Sequence, residues 1–212
     1  MPAGSEELTR AREKEIIDAC ARLYEKIPYA KITIGAISEE TSFTRTSVYN
    51  YFRTKEEIFL ALLEREYEAW TADLTALASE RFPAEEFPAR FAEALEKRGR
   101  MLKLLSMNLY DMEAGSGMEA LVSFKKAYAR SIKAVTACLR AHYAGVSDEG
   151  AQRFVYAFYP FLFGVYPYTR ATDKQKEAMD RAGVNYRPLT VREITLSFTE
   201  ALVKDLKRKQ GE

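Results

Sequence analysis

The chain is poor in the side chains from which most catalytic and metal sites are built. Its 212 residues include one histidine, His142, and two cysteines, Cys20 and Cys138. A single histidine excludes a metal site made of several histidines, and no Cys-x-x-Cys pair or close group of carboxylates replaces it. A nucleophile elbow, a phosphate-binding loop and a dinucleotide motif are also missing. We therefore expect no metal, no cofactor and no enzymatic activity.

The sequence also lacks a strong net charge and a long apolar segment. The formal net charge is +1, so any attraction to nucleic acid must come from the local placement of cations. The longest uncharged run, residues 154–168, contains prolines and is too short to span a membrane. Residues 1–7 have no apolar core and predict no signal peptide. We expect both cysteines to be buried and reduced, as in a cytoplasmic protein.

Apolar residues instead recur at spacings of three and four along most of the chain, which predicts an all-α fold. A first helix is expected from about Leu8 to Lys26, followed by two short helices. A long helix then starts at Thr54 and carries an apolar stripe from Phe59 to Leu77. Later helices have expected capping boxes, formed by the pairs Ser116 and Glu119, Thr172 and Gln175, and Thr190 and Glu193.

The segment from Ile34 to Phe59 is the most informative part of the chain. It predicts two short helices joined by a tight turn, with Thr44 as the N-cap of the second helix. That second helix carries consecutive hydrogen-bonding side chains from Arg45 to Asn50, a polar face that suits the major groove of DNA. Thr54 and Glu57 form a further expected capping box, and Lys55 lies in the first turn, where exposed amides favour a phosphate.

This segment resembles the helix-turn-helix of the TetR family of bacterial transcriptional regulators. The resemblance rests on Ile37, Phe43-Thr44, Tyr49, Tyr51-Phe52 and Lys55-Glu56-Glu57-Ile58, and it covers roughly residues 12 to 60. Two positions depart from the family pattern: the turn reads Thr41-Ser42-Phe43-Thr44 instead of Ala-Gly-Val-Ser, and Asn50 stands where His is frequent. If Ser42 has the positive φ that glycine tolerates there, Ser42→Gly should stabilise the protein by about 1 kcal/mol.

The resemblance implies a homodimeric repressor that binds palindromic operator DNA and leaves it when a small molecule binds. On this basis we predict a helix-turn-helix unit over residues 1–53 and a ligand-binding and dimerisation domain over residues 54–212. The predicted DNA contacts are Thr33, Thr44, Arg45, Thr46, Ser47, Tyr49, Asn50, Tyr51 and Lys55. Arg10, Arg12 and Lys14 are read as solvated surface charges.

The second half of the chain is rich in aromatic residues, which line apolar ligand sites but also form ordinary cores. The second half of the helix over residues 148–168 is apolar all round and needs more partners than one chain easily supplies. This helix and the one over residues 190–208 pack either in an intramolecular core or, as the resemblance to the TetR family implies, against their copies in a dimer. The predicted ligand contacts, for an apolar or planar molecule, are Tyr110, Phe124, Tyr128, Phe158 and Phe161. The predicted dimer contacts are Phe154, Leu162, Ile194, Phe198 and Leu202.

The sequence therefore predicts a one-component transcriptional repressor in the cytoplasm, associated with the nucleoid. Its expected partners are double-stranded operator DNA, a small-molecule effector and a second copy of the chain, with no membrane. The main alternative is a DNA-binding or interaction protein without a ligand switch. A remote alternative is an enzyme that uses His142, which is more simply read as a structural or surface histidine.

Overall fold

The computed structural model describes residues 3–210, with side chains from Glu6 to Arg208. Residues 1–2 and 211–212, the outer ends of the two predicted domains, lie outside the described residues. Within the described range the chain forms ten α-helices and no strand, which confirms the all-α prediction. The helices are α1 (Ala3–Lys26), α2 (Ile34–Glu39), α3 (Arg45–Val48), α4 (Lys55–Ser79), α5 (Phe87–Glu96), α6 (Gly99–Ala114), α7 (Met118–His142), α8 (Asp148–Thr169), α9 (Asp173–Arg181) and α10 (Val191–Gln210).

The helices fall into two compact units. The first unit contains the described residues up to Arg65 together with Asn108–Ala127. The second contains Glu66–Met107 and the described residues from Tyr128 onward. Three helices, α4, α6 and α7, therefore contribute residues to both units. The predicted division between residues 53 and 54 separates a DNA-binding unit from a ligand-binding and dimerisation domain. It stays a prediction.

Side chains cap four helices where the sequence predicts a cap, namely α3, α4, α9 and α10. The Thr172 and Gln175 pair forms a complete capping box at the start of α9. At α10, the Glu193 amide donates to the Thr190 hydroxyl (3.1 Å) and the Glu193 carboxylate accepts from the Thr190 amide (2.8 Å). The box predicted from Ser116 is wrong, because the Ser116 hydroxyl donates to the Met112 carbonyl (2.7 Å) at the end of α6. The last carbonyls of a helix have no partner within the helix, so a nearby hydroxyl can bind one of them instead of capping the next helix.

Helix α1 begins five residues before the predicted start at Leu8. Residues 6–10 are exposed and only Leu8 among them is apolar, so no apolar periodicity marks this part of the helix in the sequence. Glu6 in the first turn favours the helix through its interaction with the exposed amides.

The core of the second unit is built from aromatic rings. Phe158 of α8 has no exposed surface, and its ring lies 4.9 Å from that of Phe91 on α5 and 6.4 Å from that of Trp70 on α4. Helix α10 packs along α5 and α8, and Phe198 stacks on Phe161 of α8 with ring centroids 4.2 Å apart. Such offset and edge-to-face contacts favour one arrangement of the rings over others.

Both cysteines are buried and neither forms a disulfide, as predicted. Burial raises the pKa of the Cys138 thiol to about 12, which makes the reactive thiolate rare at neutral pH. In the part of the chain that the structure describes, no cluster of three His, Cys, Asp or Glu side chains could hold a metal ion. Across the same residues, no helix combines the length and the apolar character needed to cross a membrane.

Candidate nucleic-acid interface

Two capped short helices form the predicted helix-turn-helix in the first unit. The Thr33 hydroxyl accepts a hydrogen bond from the Ala36 amide (3.1 Å) and starts α2. The Thr44 hydroxyl accepts from the Ser47 amide (3.3 Å) and starts α3, as the sequence predicts. Helix α3 spans only four residues, too few to be stable by themselves. Its position depends on Val48, which is fully buried between the helices.

The turn between α2 and α3 corrects the expectation for Ser42. Among the described residues, only glycines have a positive φ, so Ser42 is not held in the left-handed conformation. Side chains satisfy the turn instead: the Thr41 hydroxyl accepts from the Phe43 amide (3.3 Å), and the Glu15 carboxylate accepts from the Ser42 amide (2.7 Å). The predicted gain from Ser42→Gly has no physical basis in this geometry.

Most of the nine predicted DNA contacts are exposed on this helix pair. The exposed members are Thr33, Thr44, Arg45, Thr46, Tyr49 and Asn50, and the half-buried members are Ser47, Tyr51 and Lys55. The exposed side chains offer hydroxyl, amide and guanidinium groups, which are the groups that read base edges and phosphates. Nothing inside the described chain covers Thr46 in α3 and Asn50 in the turn that follows it, which are neutral polar side chains.

Three cations around this helix pair are held by tyrosines rather than by carboxylates. The Lys55 ammonium lies 4.2 Å from the centre of the Tyr29 ring and donates to the Tyr29 carbonyl (3.3 Å). This contact gives a local reason for a lysine in the first turn of α4, where the helix dipole opposes a cation. Burial and the neighbouring Glu56 carboxylate raise the pKa of Tyr29, so the ring stays neutral.

The other two cations lie beside α3. Arg12 of α1 donates to the Tyr51 hydroxyl (3.1 Å), and its guanidinium lies 5.6 Å from the centre of the Phe43 ring. Arg45 donates to the Tyr49 hydroxyl (3.3 Å) one turn further along the chain. A neutral phenol orients a guanidinium without cancelling its charge, so both remain able to attract phosphate.

Neighbouring cations that form ion pairs make a useful contrast. Arg22 pairs with Glu40 (3.3 Å), and Lys14 pairs with Asp18 (2.8 Å). Partial burial opposes ionisation of Asp18, but hydrogen bonds from Lys14 and Arg65 outweigh it and lower the pKa of Asp18. In each pair the carboxylate offsets the positive charge of its cation.

Sequence reasoning missed Arg12 and Tyr29. The sequence predicts a solvated surface charge at Arg12, because its place beside Tyr51 depends on a contact across 39 positions of the chain. The only local signal was its position on the polar side of an amphipathic helix, which many surface arginines share.

The start of α4 joins the helix-turn-helix to the loop between α6 and α7, within the same unit. The Thr54 hydroxyl accepts from the Glu57 amide (3.2 Å), as expected, and donates to the Gly115 carbonyl (3.0 Å). The Glu57 carboxylate accepts from the Gly117 amide (3.1 Å) and from the Arg53 amide (2.7 Å). A Cβ on Gly115 would lie 2.4 Å from Glu56 Cγ. The loop therefore fits closely against the first turn of α4.

The five predicted ligand contacts do not share one environment. Tyr110 and Phe124 belong to the first unit, where Tyr110 is 85% exposed and Phe124 is buried. In the second unit, Phe158 is buried among other rings and Phe161 stacks on Phe198. Tyr128 lines a groove between α7 and α8.

The predicted dimer contacts divide by exposure. Phe154 and Leu162 are buried within the second unit itself, so they offer almost no surface to another chain. Ile194, Phe198 and Leu202 are half-buried along one side of α10. Leu196 of the same helix is half-buried as well, so α10 keeps partly exposed apolar surface on these four residues.

The single histidine packs in the second unit. His142 Nε2 lies 3.0 Å from the Leu77 carbonyl oxygen, and the ring stacks on Phe82 at 4.1 Å. These contacts give His142 a structural role at the end of α7.

Family comparisons agree with this geometry. A model of the tetR family of bacterial regulatory proteins matches residues 16–62. A model described as a tetracyclin repressor-like C-terminal domain matches residues 64–203, more than half of the chain. The HTH-type transcriptional repressor Rv1474c of Mycobacterium tuberculosis is 29% identical over 72 residues. That match covers 34% of this chain and 38% of the repressor, so the chain spans well under half the length of this relative.

Two solved structures share the fold. The fatty acid degradation regulator FadR from Bacillus halodurans has a TM-score of 0.60 at 12% identity, and the match covers 90% of this chain and 94% of that one. A protein assigned to the TetR family from Mesorhizobium loti has a TM-score of 0.57 at 15% identity, covering 90% and 97%. At these identities the likeness shows a common helical architecture.

Proposed function

The chain belongs to the TetR family of bacterial transcriptional regulators, whose N-terminal domain binds DNA, and from that premise we propose that it is a repressor. The proposed repressor binds a palindromic operator as a homodimer and leaves it when a small apolar or aromatic molecule binds. The exposed polar surface of α3 and of the turn after it is the observation that carries the proposal, because Thr46 and Asn50 are exposed where they can enter the major groove.

Phosphate contacts would come from the cations that tyrosines hold. Arg12, Arg45 and Lys55 each contact a tyrosine, and each keeps its charge. With a net charge of only +1, the chain has no general attraction for nucleic acid, so these local cations must supply the electrostatic part of binding. They would fix the register in which α3 meets the base edges.

A homodimer would bring two copies of α3 to a two-fold symmetric site. Support comes from α10, where Ile194, Phe198 and Leu202 leave an apolar stripe half-exposed. Beside this stripe lies a groove of about 410 Å³ between α8 and α10, lined by Ala157 and Leu202 among others. Facing copies of α8 and α10 would cover both features. The half-site centres should then lie roughly 34–36 Å apart.

Ligand-dependent release would act through α4, which contributes residues to both units. A ligand can shift DNA affinity only by its difference in affinity for the two shapes of the protein, typically about 1–3 kcal/mol. Regulation without a ligand is the second candidate, and it is favoured by the burial of Phe158, which leaves no open pocket at that ring.

Selection of binding sites from a random duplex library tests the proposal. The protein is incubated with the library at fixed salt, and bound duplexes are sequenced over successive rounds. We expect one enriched motif with two-fold symmetry, bound by two chains in sedimentation velocity. A library that stays random contradicts sequence-specific binding, whereas an asymmetric motif bound by one chain contradicts the homodimer.

A further inference from the structure

We propose that the effector site is the groove between α7 and α8, and that it binds an uncharged aromatic molecule. This inference rests on the proposed function, because it assigns a place and a ligand class to the proposed switch. The predicted ligand residues Phe158 and Phe161 have ring partners of their own, and the groove opens on a different part of α8.

The groove has the size and shape of a small-molecule site. Its volume is about 380 Å³, within the usual range for ligand pockets. Tyr128 and Ile132 of α7 form one wall, and Tyr156, Tyr159, Pro160 and Phe163 of α8 are on the other. Phe163 is 39% exposed, so a bound ring would cover apolar surface that the single chain leaves in water.

The groove's chemistry favours a neutral ligand. Its lining contains no Asp, Glu, Lys, Arg or His, so a charged ligand would lose water without gaining a partner. Burial raises the pKa of Tyr128 and of Tyr159, which keeps both phenols neutral. The Tyr159 hydroxyl is held in place by Ser131 at 2.7 Å. Aromatic walls and neutral hydroxyls together suit a planar ring with a hydroxyl or carbonyl group.

One wall of the groove contacts the helix that starts at the DNA-binding unit. The Tyr128 ring meets the Tyr67 ring of α4 edge-on, with centroids 5.8 Å apart at 84°. Tyr67 is buried, so its ring cannot move aside into solvent when Tyr128 shifts. Tyr128 also meets Tyr159 edge-on at 5.2 Å. A ligand that displaces Tyr128 must therefore change its packing on α4, which begins at Lys55.

Isothermal titration with 2-naphthol tests the site, and 2-naphthoate is the charged counterpart of the same size. Ile132→Trp fills the groove, and Phe163→Asp places a charge at its wall. Lys133→Trp adds the same indole at the neighbouring exposed position of α7 and is the matched control. Circular dichroism checks that each variant is folded. The full-length protein is used, and DNA is absent from the titration.

We expect saturable binding of 2-naphthol to the wild type below ~1 mM and binding at least about tenfold weaker for 2-naphthoate. Folded Ile132→Trp or Phe163→Asp should weaken 2-naphthol about tenfold, whereas Lys133→Trp should bind it like the wild type. Equal binding to the wild type and a folded groove variant would overturn the site, as would no binding to the wild type. Preference for 2-naphthoate would overturn the ligand class.

A second titration addresses the switch separately. Saturating 2-naphthol should weaken binding of the selected duplex by at least about fivefold, within the usual range of coupling, and the effect should vanish in Ile132→Trp. An unchanged duplex affinity would overturn the assignment as the effector site. A failed duplex selection would instead contradict the proposed function, because the titration without DNA does not depend on it.

Discussion

In the first unit, tyrosines hold cations near the surface, whereas in the second unit aromatic rings pack on one another. Arg12 reaches the Tyr51 hydroxyl at 3.1 Å, while Phe158 has no exposed surface and lies 4.9 Å from Phe91. The tyrosines beside the helix-turn-helix therefore position charge, whereas the buried rings around Phe158 exclude water. An aromatic residue takes its role from its neighbours, so these two sets of rings should respond differently to loss of a ring.

The largest expected effect is the loss of stability when a buried ring is removed from the second unit. Phe158→Ala should lower the free energy of unfolding by about 3–5 kcal/mol, because the ring is buried among others and its removal leaves a cavity. Thermal unfolding followed by circular dichroism should show a melting temperature lower by roughly 10 °C.

Phe163→Ala on the same helix is the control, because Phe163 is 39% exposed. Its free energy of unfolding should change by less than about 1 kcal/mol. Similar losses for the two variants would contradict the assignment of Phe158 to the core. A stable Phe158→Ala protein with an altered ligand response would instead restore the original prediction that Phe158 lines a ligand pocket.

The next effect concerns the exposed polar face of α3. Thr46→Ala and Asn50→Ala should each weaken the selected duplex by about 1–3 kcal/mol if the side chain reads a base. Neither should alter the melting temperature by much, because both side chains are exposed. Fluorescence anisotropy against the selected and a scrambled duplex measures the change. Equal weakening on both duplexes would show that the residue contacts the backbone instead.

A smaller effect distinguishes a cation held by tyrosine from one held by a carboxylate. Arg12→Gln should reduce the slope of log affinity against log salt by about one, because a phosphate contact is lost. Arg22→Gln is the matched control, since Arg22 is paired with Glu40 at 3.3 Å and should leave the slope unchanged. Affinities measured at several salt concentrations on a non-specific duplex provide both slopes. Equal slopes for Arg12→Gln and the wild type would place Arg12 away from DNA.

The smallest effect is expected at the turn of the first unit. Ser42→Gly should lower the free energy of unfolding by about 0.5 kcal/mol, because the φ of Ser42 is not positive and glycine adds freedom to the unfolded chain. Urea unfolding of the two proteins measures the difference. A gain in stability would mean that the turn in solution uses a left-handed residue after all.

The local features of the chain could be read from its sequence. Thr44, Thr172 and Thr190 cap the helices at the expected positions, because a capping interaction involves residues only a few positions apart. The helical class and the buried cysteines follow from apolar periodicity for the same reason. The cap predicted at Ser116 is wrong because its hydroxyl can either cap the start of α7 or bind a carbonyl at the end of α6. It donates to the Met112 carbonyl of α6.

Contacts between distant residues could not be read in this way. The sequence gives no reason to place Arg12 against Tyr51, Gly115 against Glu56 or Tyr67 against Tyr128. Aromatic composition likewise suggests a pocket without separating rings that line it from rings that fill the core. In the structure, Tyr156 and Phe163 differ from the core rings because they are exposed. Their exposure depends on how α7 and α8 pack, which the sequence does not show.

The central claim is that the first unit reads a DNA sequence with α3. Its most direct test is the ratio of dissociation constants for the scrambled and the selected duplex, measured at one salt concentration for the wild type and for the Thr46→Ala/Asn50→Ala double variant. The account predicts a ratio of at least about 10³ for the wild type and a fall of at least about tenfold in the double variant. A wild-type ratio near one would contradict it.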